Sequence, residues 1–378
     1  MARARWAPAT ATLTLAAAVL GLLLAEAAPP TAFGAEVDDA ACFPCHNNPK
    51  WRMEFTLPSG ETLSLYFDKD KLRGSVHGAL HCVDCHTDKL SGFPHDKLPE
   101  GWDRRDLTLN LSTTCQRCHP QAHRAIAESV HYGALAEGNR AAPVCTDCHG
   151  AHDVQPVDQA RAALVQRCGG CHQDIYDAYA RSIHGVAVLQ RGSPDAATCA
   201  DCHGSHKVRN PQATEFRARS PWICARCHAN EAMMSKYGLS ADVFRTYLAD
   251  FHGATVALFR ERPSGRLDAA VCYDCHGSHS IVTVDAVTSP VSTENLLKTC
   301  QRCHPGTTSN FTGAWLGHHR PSPRRFPAVY YARLAYKVLI PGVIAFFIIV
   351  ITWDMVHGIV QRMRSPRLER TGIKEEEP

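Results

Sequence analysis

The residues of this chain that can do chemistry fall into one pattern, Cys-x-x-Cys-His. The pattern occurs nine times and uses all 18 cysteines. Two thiols at this spacing can form thioether bonds to one porphyrin, and the adjacent imidazole can bind its iron. The spacing therefore predicts nine covalently bound c-type haems. The candidate attachment residues are Cys42, Cys45, Cys82, Cys85, Cys115, Cys118, Cys145, Cys148, Cys168, Cys171, Cys199, Cys202, Cys224, Cys227, Cys272, Cys275, Cys300 and Cys303.

Composition agrees with haem binding and argues against other classes of protein. The 378 residues carry 40 basic and 37 acidic side chains, for a formal net charge of +3. A nucleic-acid-binding chain usually has a basic excess on one face. A disulfide framework or a set of zinc sites would also use paired cysteines, but neither needs a histidine directly after every second cysteine.

The nine sites alternate between two kinds. The second, fourth, sixth and eighth sites read CVDCH, CTDCH, CADCH and CYDCH, and we call them the even sites. The odd sites lack the aspartate, and three of them carry an arginine instead: Arg117, Arg226 and Arg302. The pattern predicts four odd–even pairs and a ninth, unpaired site. Because the odd sites are unequally spaced, the expected repeat is irregular, with each unit stacked on its neighbours.

Histidines outside the motifs recur in two slots. The first slot precedes each even site in a His-Gly or His-Tyr-Gly element and holds His77, His131, His184 and His252. The second slot follows three even sites in a Gly-x-His element and holds His152, His206 and His279. His95 is the substitute after the second site. His318 or His319 fills the first slot after the ninth site, with His319 taken as the ligand.

These nine distal candidates equal the motifs in number, so the sequence predicts two histidine ligands on every iron. The proximal ligands are His46, His86, His119, His149, His172, His203, His228, His276 and His304. A histidine three residues after a proximal one cannot reach the opposite face of the same porphyrin. We therefore expect distal ligands to serve neighbouring haems, and the sequence leaves open which one each serves. His81, His123 and His357 remain outside this count.

Both ends of the chain carry apolar runs. Residues 13–24 follow two arginines and precede small residues, which is typical of a signal peptide, with an uncleaved anchor as the alternative. Residues 338–353 are uncharged and flanked by aromatic side chains, which favours a membrane helix over a buried core helix. The expected segments are a signal peptide (1–35), a periplasmic nine-haem domain (36–319), a linker (320–333), a transmembrane helix (334–356) and a cytoplasmic tail (357–378).

The expected fold class is mainly α with extensive loops. It is an irregular-repeat multihaem cytochrome c with a small β-hairpin insertion and one C-terminal transmembrane helix. Residues 121–129 and 174–182 read as helices that stop near the His-Gly elements. Residues 54–57 and 62–67 flank Pro58-Ser59-Gly60, which indicates the hairpin. Nine porphyrins would share the 263 residues from 42 to 304, so the macrocycles themselves must form most of the core.

The motifs CxDCHGxH and SxHG resemble those of multihaem c-type cytochromes from anaerobic and metal-respiring bacteria. With its C-terminal anchor, the chain looks like the cytochrome c subunit of inner-membrane quinone:cytochrome c oxidoreductase complexes. It departs from quinol dehydrogenases with four haems and an N-terminal anchor, and from pentahaem nitrite reductases, because no Cys-x-x-Cys-Lys occurs. The resemblance implies a b-type cytochrome partner, the quinone pool and soluble periplasmic cytochromes, with no nucleic acid.

Two axial imidazoles leave no open iron position, so the leading hypothesis is electron transfer between the quinone pool and periplasmic acceptors. This assigns no catalytic residue to the chain, which would be the electron-transfer subunit of the complex. The first alternative is a periplasmic terminal reductase of a nitrogen or sulfur oxyanion, which would need one five-coordinate haem. The second is a scaffold that only organises a complex.

Overall fold

The computed structural model describes residues 39–50, 53–86, 100–263, 265–315 and 317–364. The predicted signal peptide, His95 and residues 365–378 of the predicted tail lie outside these ranges. The described chain is mainly helical, with one two-stranded sheet and one long apolar C-terminal helix. These features confirm the predicted mainly α class with its small hairpin and long apolar C-terminal helix, whereas the irregular repeat and the membrane crossing stay predictions.

Most of the described helices are short, and several of them coincide with the Cys-x-x-Cys-His segments. The α-helices are Phe43–His46, Lys69–Arg73, Cys82–Cys85, Arg104–Ser112, Pro120–Ala127, Val130–Ala136, Cys145–His149, Arg161–Gly169, Gln173–Ala180, Ile183–Leu189, Cys199–His203, Thr214–His228, Glu231–Met234, Val243–Leu248, Phe251–Glu261, Cys272–His276, Leu296–Gln301, Ser309–Ala314 and Pro327–Arg364. Short 3₁₀-helices cover Asp39–Ala41, Thr113–Arg117 and Ser235–Tyr237.

The predicted hairpin is present. Strands β1 (Glu54–Thr56) and β2 (Thr62–Ser64) pair antiparallel, with Phe55 opposite Leu63. Gly60 in the connecting turn has a φ of 89°, a left-handed conformation that glycine adopts at little cost. The strands are shorter than the predicted runs.

Three of the four first-slot histidines, His131, His184 and His252, lie in the first turn of a new helix rather than at the end of the preceding one, whereas His77 lies in a turn. Ser182 caps the helix Ile183–Leu189 by accepting a hydrogen bond from the backbone N–H of Gly185 at 3.0 Å. A Cβ atom on Gly185 would overlap the carbonyl oxygen of Tyr179 at the end of the preceding helix. The glycine of His-Gly therefore permits a close approach of two backbones, and it does not act as a stop signal.

The described residues form two compact units, 39–216 with Ser278–Val282, and Arg217–Gly277 with 283–364. Each unit contains one small cluster of buried apolar side chains. The first cluster is Val165, Tyr179 and Val188, and the second is Ala218, Val256, Leu267, Ala269 and Val271. Clusters of this size bury too little apolar surface to offset the entropy of ordering such long segments.

The C-terminal helix Pro327–Arg364 is longer than the predicted span of 334–356. It is the one described helix that is long and apolar enough to cross a membrane, with a mean hydropathy of 2.5 over its most apolar window. None of that window is buried against the described chain, which argues against a core helix. The helix is compatible with a single-pass membrane anchor, and lipid or another chain must cover it.

We expect the charge-bearing double variant Ile344→Glu/Ile348→Glu to leave the membrane fraction. Each carboxylate near the centre of the span costs about 3 kcal/mol of insertion free energy. The measurement is partition after an alkaline wash, followed by the haem absorbance of both fractions. The control is Gln361→Glu near the polar end of the helix, which should stay in the membrane. Retention of the double variant would contradict the anchor.

We also expect the chain without haem to remain unfolded. Because the two apolar clusters are small, haem attachment must supply the remaining core. The measurement is far-ultraviolet circular dichroism of chain produced without the haem-attachment machinery, compared with the haem-loaded protein. A native-like helical spectrum from the haem-free chain would overturn this expectation.

Candidate haem-binding sites

Each even site lies on a short helix whose first turn is closed by the site's own aspartate. The Asp274 carboxylate accepts a hydrogen bond from the backbone N–H of Val271 at 2.7 Å, directly before the first cysteine. Asp84, Asp147 and Asp201 make the equivalent bonds. A first turn closed in this way puts both cysteines and the histidine, at positions i, i+3 and i+4, on one helix face.

The glycine that follows three of the even sites has a conformational role. Gly150, Gly204 and Gly277 have φ angles of 78°, 92° and 80°. This left-handed region is costly for residues with a Cβ atom, which explains the sequence CxDCHG. The turn ends the short helix and directs the chain into the second-slot histidine.

An arginine on the helix leading into an odd site binds the aspartate of the next even site. Arg217 donates to both carboxylate oxygens of Asp274, at 3.0 and 2.8 Å, and to the carbonyl of Ala269 at 2.9 Å. The ion pair with Asp274 raises the pKa of Arg217 above its usual value. We call this contact an arginine clamp. The other clamps are Arg105 with Asp147 at 2.8 Å and Arg161 with Asp201 at 3.4 Å.

A second set of arginines joins three of the even sites to the odd site that follows each of them. These side chains donate to a backbone carbonyl inside the even segment: Arg117 to Asp84, Arg167 to Cys148 and Arg302 to Asp274. Two of them are arginines that the alternation singled out. Arg167 makes the same kind of contact from a different position, directly before Cys168.

The thiols of the two sites in a pair meet at their first cysteines. The side chains in contact are Cys42 with Cys82, Cys115 with Cys145, Cys168 with Cys199, and Cys224 with Cys272. Hydrogen bonding to the partner thiol lowers the pKa of Cys145 to about 6 and of Cys168 to about 7. All 18 cysteines lie within the described ranges and are free of disulfides. The contacts bring the attachment points of two haems together.

Within the part of the chain that the structure describes, histidines from different segments face each other in the following seven pairs. The ring centres are 6.0 to 6.3 Å apart in every pair. The pairs are His77 with His119, His86 with His152, His131 with His172, His149 with His206, His203 with His279, His252 with His304, and His276 with His318.

The pairs follow one rule in each slot. A first-slot histidine faces the proximal histidine of the next odd site, as His131 faces His172. A second-slot histidine directly follows one even site and faces the proximal histidine of the even site before that one, as His206 faces His149. In all seven pairs, the distal candidate comes from outside the motif that it faces, which agrees with the expectation from spacing.

His318, rather than His319, faces a proximal histidine. Its ring lies opposite His276, so it extends the second-slot series and not the first slot to which the sequence assigned this pair. The His318 Nδ1 atom is buried and has no hydrogen-bond partner among the described residues. Buried polar atoms are seldom left in this state unless another group satisfies them.

The gaps between the rings fit one iron each. Two metal–imidazole bonds of about 2 Å each, with the distance from ring nitrogen to ring centre added, place two ring centres about 6 Å apart. No group of three or more potential metal ligands from the protein itself occurs among the described residues. The residues present therefore fit a haem with two axial histidines.

The environment favours the neutral, metal-binding form of these rings. Burial lowers the pKa of His203, and the facing His279 lowers it further. Burial and His318 act in the same way on His276. At the first site, His46 Nδ1 lies 2.9 Å from the carbonyl oxygen of Leu65. A hydrogen bond at this nitrogen fixes the ring and leaves the other nitrogen available to a metal.

A backbone hydrogen bond joins each first-slot segment of the first unit to the second-slot segment of the next pair. The N–H of Val130, one residue before His131, donates to the carbonyl of Val208, two residues after His206, at 3.0 Å. The equivalent bonds run from Val76 to Val154 and from Ile183 to Ile281. The segments that carry the distal candidates are thus held together in successive pairs.

Sequence reasoning found the motif residues and the slots but missed the arginine clamps. The signal is present in the sequence, because Arg161 and Arg217 each lie seven residues before the first cysteine of an odd site. The partners of His46, His184 and His228 stay predictions, and His95 lies outside the described residues.

Comparison with known families bears on the middle of the chain. Residues 139–229 match the family model of cytochrome c3. The match supports a multihaem c-type cytochrome. It includes the motifs that begin at Cys145, Cys168, Cys199 and Cys224, and spans about a quarter of the chain. Neither the curated proteins nor the solved structures gave a match.

We expect His318→Ala to convert one haem from low spin to high spin, because the iron beside His276 loses its second imidazole. His319→Ala is the matched control, and its spectrum should equal that of the parent. The measurement is electron paramagnetic resonance of the oxidised protein at equal haem content. A high-spin signal from His319→Ala alone would reverse the assignment.

Proposed function

We propose that this protein is a membrane-anchored electron carrier with nine c-type haems, each held by two histidines. It links the quinone pool, through a b-type cytochrome subunit of the inner membrane, to periplasmic acceptors such as soluble cytochromes. In this role it is the electron-transfer subunit of a quinone:cytochrome c oxidoreductase complex. The observation that carries the proposal is the set of seven histidine pairs with ring centres 6.0 to 6.3 Å apart.

The histidine pairs favour electron transfer over catalysis at iron. A bound haem supplies reversible one-electron exchange, and the axial ligands decide whether its iron can also take a substrate. His276 and His318 lie on opposite sides of one gap, so neither face of an iron there is open. The same reasoning applies to the other six pairs.

The chain's own residues hold these ligands in place. The capping aspartates orient the proximal histidines of the even sites, and the caps Ser129, Ser182 and Asp250 place three first-slot histidines in the first turn of a helix. Rigid placement of both ligands limits rearrangement when the charge on the metal changes, which suits electron transfer.

The link to the quinone pool rests on the anchor and on the family resemblance. The unburied apolar helix Pro327–Arg364 follows the ninth site directly in sequence, so that site is the one tethered nearest the membrane. The predicted signal peptide would carry the haem domain across the inner membrane. The remaining part of the proposal, the b-type partner, follows from the resemblance alone.

Haem content and spin state test the ligand assignment. We expect the intact mass to show nine haem additions and the oxidised protein to give only low-spin signals. A count below nine would refute the haem number. A stoichiometric high-spin haem would instead favour the terminal reductase, with the neighbourhood of the second site as the place to look, because His95, the distal candidate that follows that site, is the least regular in spacing.

Reduction by a quinol tests the direction of the proposal. In membranes that contain the full complex, a menaquinol analogue should reduce the haems, and a soluble periplasmic cytochrome should reoxidise them. The control is the same membrane preparation with the chain deleted. Haems that stay oxidised in the presence of both the quinol and the b-type partner would support a scaffold and refute the conduit.

A further inference from the structure

The three arginine clamps make the same pair of contacts, although the number of residues between the arginine and the even site differs. In each, the arginine also donates to the carbonyl of the residue three positions before the even site's first cysteine: Ala142, Ala196 or Ala269. From the arginine to that cysteine the chain runs 40, 38 and 55 residues, for Arg105, Arg161 and Arg217. Simple proximity along the chain does not produce the same contact across such different lengths.

Each clamp occurs where two attachment points meet. Arg217 lies seven residues before Cys224, and its partner Asp274 lies between the cysteines of the site that begins at Cys272. The thiols of Cys224 and Cys272 are in contact. The contacts Cys115–Cys145 and Cys168–Cys199 occur in the pairs clamped by Arg105 and Arg161.

We propose that Arg105, Arg161 and Arg217 are positioning residues that fix the placement of the two haems within a pair. Each arginine holds the even-site helix against the odd-site helix by binding the aspartate of the even site. This inference deepens the proposed electron transfer, on which it rests, because electronic contact between two haems depends on how their attachment points are held.

The first pair provides an internal comparison, since it uses a different contact. Asp39, three residues before Cys42, accepts a hydrogen bond from the backbone N–H of Cys82 at 2.8 Å. It also lies 3.2 Å from the Nδ1 atom of His81. His81 was left over from the ligand count, and here it has a role between two sites. A carboxylate on the odd segment thus takes the place of the arginine.

The geometry of the clamp depends on the planar guanidinium. Two N–H groups of Arg217 meet two carboxylate oxygens of Asp274, while a further bond reaches Ala269. A lysine keeps the positive charge but cannot reproduce this fork. Arg217→Lys therefore keeps the positive charge but loses the forked contact that places the even-site helix, and Arg217→Gln loses both.

The test compares Arg217→Lys, Arg217→Gln and Asp274→Asn with Arg219→Gln, which changes an exposed arginine on the same helix. The full-length, haem-loaded protein is used throughout. The first readout is the Soret circular-dichroism couplet, which reports the relative orientation of close haems. The second is a spectroelectrochemical titration of the haem potentials.

We expect Arg217→Lys to lose the part of the couplet contributed by one haem pair, while its potentials stay close to those of the parent. Arg217→Gln should also lower the potentials of that pair, because Asp274 is left as an unbalanced negative charge. Asp274→Asn should raise them, because Arg217 is left positive. Arg219→Gln should match the parent in both readouts.

Unchanged couplets in Arg217→Lys and Arg217→Gln, with all haems present, would overturn the proposal. If a variant matures with fewer haems, peptide mass mapping decides the matter. Loss confined to the sites at Cys224 and Cys272 supports a paired unit, and loss elsewhere contradicts it. The haem count of the parent tests the proposed function separately, since the couplet of this pair needs only its own two haems.

Discussion

The constraint on which this chain depends is the meeting of two imidazoles from different sites across a gap that fits one iron. His86 and His152 are 66 residues apart in sequence, yet their ring centres lie 6.1 Å apart. Each such pair closes a long loop, which is costly in entropy, and the small apolar clusters cannot offset that cost. Folding of the chain therefore depends on the ligation of haem by these histidine pairs.

Polar contacts supply the order that a conventional core would supply elsewhere. Capping aspartates shape the even sites locally, arginine clamps join the two sites of a pair, and the arginines of the odd sites reach back to the preceding pair. Asp274 takes part in all three kinds of contact. Its carboxylate caps its own helix and binds Arg217, and its backbone carbonyl accepts a hydrogen bond from Arg302. One residue thus touches three consecutive odd and even segments.

Much of the fold class and of the site could be predicted because the signals are local. Motif spacing, the count of histidines and the hairpin turn are all readable within a few residues of sequence. The predicted helices 121–129 and 174–182 are confirmed to within two residues at each end, but the role of the His-Gly glycine as a stop signal was wrong, because Gly185 is needed for its approach to the Tyr179 carbonyl, a contact made only after the turn has formed. The choice between His318 and His319 depends on the loop that turns one ring towards His276. The clamps could not be predicted because an arginine on a short helix has the pattern of a solvated charge, and its aspartate partner lies 40 to 57 residues further along the chain.

The alternation of contacts also bears on function. A substrate-binding haem needs one face that the chain leaves open, whereas in the described pairs both faces belong to segments that other contacts already hold. His131 sits in a capped helix whose first residue, Val130, is bonded to the segment carrying His206. A displacement of one ligand would therefore disturb the ligand of the neighbouring site as well. Such coupling makes ligand exchange at any single iron costly and preserves the geometry between sites. Electron transfer over a long distance requires a fixed geometry of this kind, whereas catalysis at the metal requires an exchangeable ligand.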